Sequence, residues 1–139
     1  MVRTGEAIRA LTFRQPWADL VLSGRKSLEV RSWSTDFRGI LCVHAGKNVD
    51  KKDADRLRVP IGVTGAFVGT VEVVGMVEFN PENWATLYEK HLTAGALSSE
   101  HRFGWVLERP VRFRTAVIGN GRLGIFSPPE QVQRQILSL

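Results

Sequence analysis

The chain has 139 residues, 43% of them hydrophobic and 24% charged, with a formal net charge of +5. That is enough for one globular domain, expected over 1–139, and too little for two cores; it also excludes a low-complexity or collagen-like polymer. Its single cysteine, Cys42, excludes an internal disulfide framework.

The opening "MVRTGEAIRALTFR" carries charges through its only apolar stretch and does not read as a signal peptide; disorder is expected only in its first few residues. "IRALTFR" (8–14) alternates as a strand. "QPWADLVLSG" reads as a helix with Pro16 in its first turn, Trp17, Leu20 and Val21 as its apolar stripe, and Gly24 as its stop. "SLEVRSW" (27–33) returns to period two, with Leu28 and Val30 on one face and Glu29, Arg31 and Trp33 on the other. "ILCVHA" (40–45) is a buried strand, in which Cys42 is a small apolar residue, and a short exposed helix begins near Asp50. "GAFVGTVEVVGMVEF" (65–79) is a long strand whose glycines at 65, 69 and 75 predict bends or bulges. Broken by Glu72, it is too short to span a bilayer, so no membrane partner and a cytoplasmic location are expected. Trp84, Leu87, Tyr88 and Leu92 have helical spacing within 80–92. "FGWVLERPVRFRTAVIG" is a strand that Pro110 interrupts at an edge or bulge. "NGRLGIF" holds a tight turn and a short strand, and a final helix packs Val132, Ile136 and Leu137 on the domain. The segment 93–104 reads either as a flap or as an ordinary connection. Strands dominate and do not alternate regularly with helices, so the expected fold is mainly β (α+β): a compact, curved barrel with peripheral helices rather than a doubly wound parallel sheet.

Arginine supplies most of the positive charge, 14 Arg against 5 Lys, and guanidinium forks match phosphate oxygens well. Between Glu72 and Glu100 lie five acids and one base; between Arg102 and Arg122 lie five arginines and one acid. This segregation predicts an anionic partner on one face.

The stretch "GRKSLEVRSW" (24–33) places an ammonium (Lys26), a carboxylate (Glu29), a guanidinium (Arg31) and an indole (Trp33) along one strand. A surface Glu–Arg pair of this kind contributes only about 0–1 kcal/mol, and charge runs usually mark a solvated face. Three neighbours favour a site instead: "RQPW" brings Arg14, Gln15 and Trp17, "FRG" brings Arg38, and "VHAGK" brings His44 and Lys47. Arg31 and Lys26 can neutralise a phosphate, the Gln15 amide can read a base edge, and Trp17 or Trp33 can stack on a base, although core packing under the helix is an equal role for Trp17. Trp84 and Trp105 read as packing residues. His44, His91 and His101 show no ligand spacing, and "GNGRLG" is a tight turn rather than a phosphate cradle, so neither a metal nor another cofactor is expected.

"LTFRQPWADLVLSGRKSLEVRSW" followed by "FRGILCVHAGK" resembles the ASCH domain, a relative of the PUA fold. The family's G-x-K-x-x-E-x-R signature falls on Gly24, Lys26, Glu29 and Arg31. "GWVLERPVRF" and "GRLGIF" resemble its later strand and closing turn. The resemblance implies a PUA-like barrel with a cleft between barrel and first helix. Lys26, Glu29 and Arg31 would be its catalytic set, with Arg14, Gln15, Trp17, Trp33, Arg38, His44 and Lys47 as its walls. The implied partner is RNA, single-stranded or tRNA, or a nucleotide. Three activities follow as expectations. The first is RNA binding with metal-independent ribonuclease action, Glu29 or His44 taking the 2′-OH proton while Lys26 and Arg31 stabilise the phosphorane. The second is a binding-only regulatory module. The third is an amidohydrolase of a modified nucleoside such as N4-acetylcytidine; this chain matches that branch at Lys26, has Glu29 in place of its threonine nucleophile, and shows no counterpart for its acidic partner. The sequence leaves the oligomeric state open.

Overall fold

A computed structural model describes residues 7–139, so the expectations for the opening residues lie outside the described part of the chain. Five strands form one sheet: β1 (Arg9–Gln15), β2 (Leu28–Arg31), β3 (Gly39–Val49), β4 (Ala66–Glu78) and β5 (Phe103–Ile118). Their order is β1-β3-β4-β5-β2, with β1 parallel to β3 and every other pairing antiparallel. Five helices accompany them: α1 (Trp17–Leu22), α2 (Lys51–Leu57), α3 (Pro81–Thr86), α4 (Tyr88–His91) and α5 (Glu130–Leu137).

Period-two alternation puts an apolar layer on each face of the sheet. Leu11, Phe13, Leu41 and Val43 point to the side covered by α1, where Val21, Leu22 and Trp105 complete the main core. Ala10, Cys42 and Phe67 point to the other side, under Val132 and Ile136 of α5. Cys42 is fully buried there, and burial pushes its thiol up to about 12, so it is an inert packing group.

The bends expected in the fourth strand are present. The register of β4 against β5 shifts between Phe67 and Gly69 and again between Val73 and Gly75. A side chain at Gly69 would meet the Val111 carbonyl and Leu22, so only glycine lets α1 and β5 approach there. Pro110 lies in a third irregularity, where Arg109 and Pro110 together oppose the single residue Val71 between the Thr70–Val111 and Glu72–Glu108 pairs, and Arg109 has φ 51°.

Four expectations change. The sheet curves but does not close into a barrel: β1 and β2 are its two edges and share no ladder. β2 is only four residues long, and a side chain rather than main chain links it to β1. The helical stretch 80–92 divides at Leu87 into α3 and α4. "GIF" forms no strand beyond a single bridge between Phe126 and Ala10. Leu137 is 55% exposed, because the stripe of α5 runs through Val132 and Ile136. The segment 93–104 is a connection: Gly95 accepts the Trp84 indole N–H and His101 stacks on Trp84 at 5.1 Å.

The fold offsets part of the charge segregation seen in the sequence. Antiparallel pairing lays β5 beside β4, so Arg109 chelates Glu72 through two hydrogen bonds of 2.9 and 2.8 Å, and Arg112 reaches Asp19 on α1 at 3.1 Å.

Candidate functional site

The gap between the β1 and β2 edges opens into a cleft of about 800 Å³. Its walls are β1 with the start of α1, β2, the second half of β3 with the turn after it, and the loop 119–124. β1 and β2 face each other across it because β2 follows α1, which crosses the sheet and returns the chain to the far edge.

One guanidinium ties the two edges together. Arg31 on β2 donates through Nη2 to the Thr12 carbonyl on β1 at 2.7 Å and through Nε to Glu29 Oε2 at 3.0 Å, while lying 5.3 Å from the Phe13 ring centroid. Glu29 is 6% exposed, so this strand face is an inward-facing wall rather than a solvated run of charges. Lys26 lies behind it. Its ammonium donates to the His91 carbonyl, sits 4.0 Å from Glu29 Oε1 and 4.6 Å from the Trp17 ring centroid, and is 2% exposed. Burial, opposed by the Glu29 carboxylate, lowers its pKa to about 8. The signature residues therefore form a chain, Lys26 to Glu29 to Arg31, of which only Glu29 and Arg31 line the cleft.

Trp17 lines the cleft at the start of α1, and its indole N–H donates to Asp50 Oδ2 at 2.7 Å. The other Asp50 oxygen accepts from Arg14 at 3.1 Å. Asp50 precedes α2 yet makes no capping bond to that helix, because its carboxylate is committed to these two residues. Lys47 and Arg122 are exposed at the rim, and among the described residues no ion pair engages either. His44 stands at the far end, 3% exposed, between the Thr12 hydroxyl at 3.1 Å and the Gly119 carbonyl at 2.8 Å. Since a carbonyl only accepts, Nε2 carries the proton and Nδ1 accepts from Thr12. Burial lowers the His44 pKa, which keeps the ring neutral at pH 7.

The remaining expected wall residues lie elsewhere. Gln15 is fully buried, and both ends of its amide are engaged: Oε1 accepts from the Asp19 N–H at 3.1 Å and Nε2 donates to the Val63 carbonyl at 2.8 Å. It holds the loop before β4 against α1. Trp33 lies beyond the end of β2, so strand parity no longer directs it; it packs edge-on against Trp105 at 4.9 Å. Arg38 bonds the carbonyls of Thr35 and Phe37 in its own turn and borders a second hollow, of about 1080 Å³. That hollow is larger, but its charged pair, Arg109 and Glu72, is self-satisfied.

Thr12, Asp50 and the loop 119–124 are cleft residues that the sequence reading passed over. The loop's glycines were the available signal. A side chain at Gly121 would collide with the Thr12 hydroxyl and with the His44 ring, so this glycine lets the loop close the end of the cleft.

Comparison with known proteins agrees with this architecture. The ASCH domain family matches residues 11–115. The crystal structure of ASCH from Zymomonas mobilis superposes with a TM-score of 0.68 at 10% identity, covering 95% of this chain and 94% of that one. A single-residue mutant of the same protein gives 0.68 at 10% identity, covering 96% and 99%. At that identity the likeness concerns the fold. Isoleucine–tRNA ligase from Methanocella arvoryzae is 28% identical over 127 residues, which cover 81% of this chain but only 11% of the ligase. Among the described residues no helix is long and apolar enough to cross a membrane. With its signature running from the turn after α1 into β2, its curved five-stranded sheet and a family match over most of its length, the chain belongs to the ASCH domain family.

Proposed function

We propose that this ASCH domain binds single-stranded RNA or a free nucleotide in the cleft between β1, β2 and α1, as a binding module of the cytoplasm. One observation carries the reading. The acids of the cleft, Glu29 and Asp50, are already matched by Arg31, Arg14 and Trp17, while Lys47 and Arg122 at the rim make no ion pair among the described residues. The unbalanced charge is positive and sits beside the Trp17 ring, the combination that suits a phosphate joined to a base. A PUA-like fold family often linked to RNA, and a relative whose name includes a tRNA, are compatible with it.

Binding is favoured over turnover because, among the described residues, the cleft lacks a free general base. Both nitrogens of His44 are engaged, and Glu29 is held between Arg31 and Lys26. The amidohydrolase reading has no support from Lys26, whose ammonium is buried behind the cleft wall. Incubating the protein with labelled single-stranded RNA in EDTA tests the proposal. The expected result is salt-sensitive binding with intact RNA; absence of binding at low salt would reject the reading, and degradation lost in Glu29→Gln would replace it with the nuclease.

A further inference from the structure

We infer that the cleft reads the edge of a pyrimidine base through the main chain of its two unclosed strands, at Val30 and Thr12. This deepens, and rests on, the nucleotide reading above. Hydrogen-bond parity fixes which backbone groups face the gap. Leu107 N–H donates to the Ser27 carbonyl, and Phe79 N–H donates to the Arg102 carbonyl. Odd-numbered residues at the start of β5 therefore bond toward β2 and even-numbered ones toward β4, in register with Glu29–Trp105 and Arg31–Phe103. Val30 lies between those two pairs, so its N–H and C=O point off the sheet edge. On β1, Ala10 exchanges both its main-chain bonds with Phe126 on the edge away from β3. Two residues on, Thr12 presents its N–H and C=O on that same edge, and the carbonyl is the one that Arg31 holds.

The gap thus offers three main-chain groups without a partner among the described residues: the Thr12 N–H, the Val30 N–H and the Val30 C=O. Two donors and one acceptor complement a ligand edge with two acceptors and one donor. Uracil and cytosine have that edge; guanine has the opposite count. Val30 and Thr12 both line the cleft and are partly exposed. A peptide strand is not favoured as occupant, because β2 offers a single accessible residue there, Leu28 being buried.

The test uses the full chain, 15N-labelled, with uridine 5′-monophosphate, its N3-methyl derivative and guanosine 5′-monophosphate. Uridine monophosphate is expected to slow amide exchange at Val30 and Thr12 and to bind about tenfold more tightly than either of the others. Val30→Pro removes one donor at an edge position where proline is tolerated; it should lose uridine monophosphate binding, and Val30→Ala should keep it. If guanosine monophosphate binds as tightly, or if uridine monophosphate saturates the protein with both amides unchanged, the main-chain readout is wrong while nucleotide binding stands. If no nucleotide and no RNA binds, the underlying reading falls with it. Amide exchange in the unsubstituted chain decides the matter even if Val30→Pro does not fold.

Discussion

Lys26 shows how far a side chain's role depends on what covers it. Its sequence position predicts a cationic catalyst at the head of a charged strand, yet in the fold it is a buried ammonium that supports Glu29 from behind. Its pKa of about 8 in the folded state lies below the ordinary 10.5. Between those values the unfolded chain binds more protons, so stability rises with pH across that window and the cost of burial is felt in full below pH 8. Urea titrations of the wild type and Lys26→Met should therefore converge or cross toward the wild type from pH 8 to 10, with a full linkage of about 3 kcal/mol. At the rim the expectation is opposite in kind. Lys47→Ala and Arg122→Ala should leave the melting temperature unchanged, weaken single-stranded RNA binding several-fold, and each lower the salt slope by about 0.7. Fluorescence anisotropy at several salt concentrations measures both quantities.

The strands were legible because period two and glycine punctuation are local signals. Gly69, Gly75 and Pro110 all mark real irregularities in the β4–β5 ladder. Local patterning served less well where neighbours outside the segment decide the outcome. Trp33 follows the parity of β2 on paper, but the strand ends at Arg31 and Trp105 captures the ring. "GNGRLG" is a turn, as its composition says, and its placement over Thr12 and His44 follows from where β5 delivers it. Gly121→Ala, which drives a methyl into those two side chains, is expected to cost about 1–3 kcal/mol in a urea unfolding curve and to weaken nucleotide binding. Asp50 belongs at this scale too. It connects the end of β3 to Arg14 and Trp17, so Asp50→Ala should free the Trp17 indole, seen as a shift in tryptophan fluorescence.

At the scale of the whole molecule, the cleft exists because the sheet stops short of closing. Full closure would pair the β1 and β2 edges and leave no backbone groups for a ligand. Arg31 spans the gap without filling it, so Arg31→Met should leave Glu29 with only the more distant Lys26 ammonium and loosen both edges; a loss of about 3 kcal/mol is expected by chemical denaturation. The sequence by itself determined the order of the five strands, the first helix, the bulges and the Lys26–Glu29–Arg31 signature, since each depends on spacing within a few residues. Only the tertiary structure decided that Gln15, Trp33 and Arg38 lie off the cleft, that Thr12, Asp50 and the 119–124 loop lie on it, and that Arg109 of β5 meets Glu72 of β4. Those outcomes depend on strand pairing between residues far apart in the chain, and a one-residue difference in register or strand length turns a side chain from ligand wall to core.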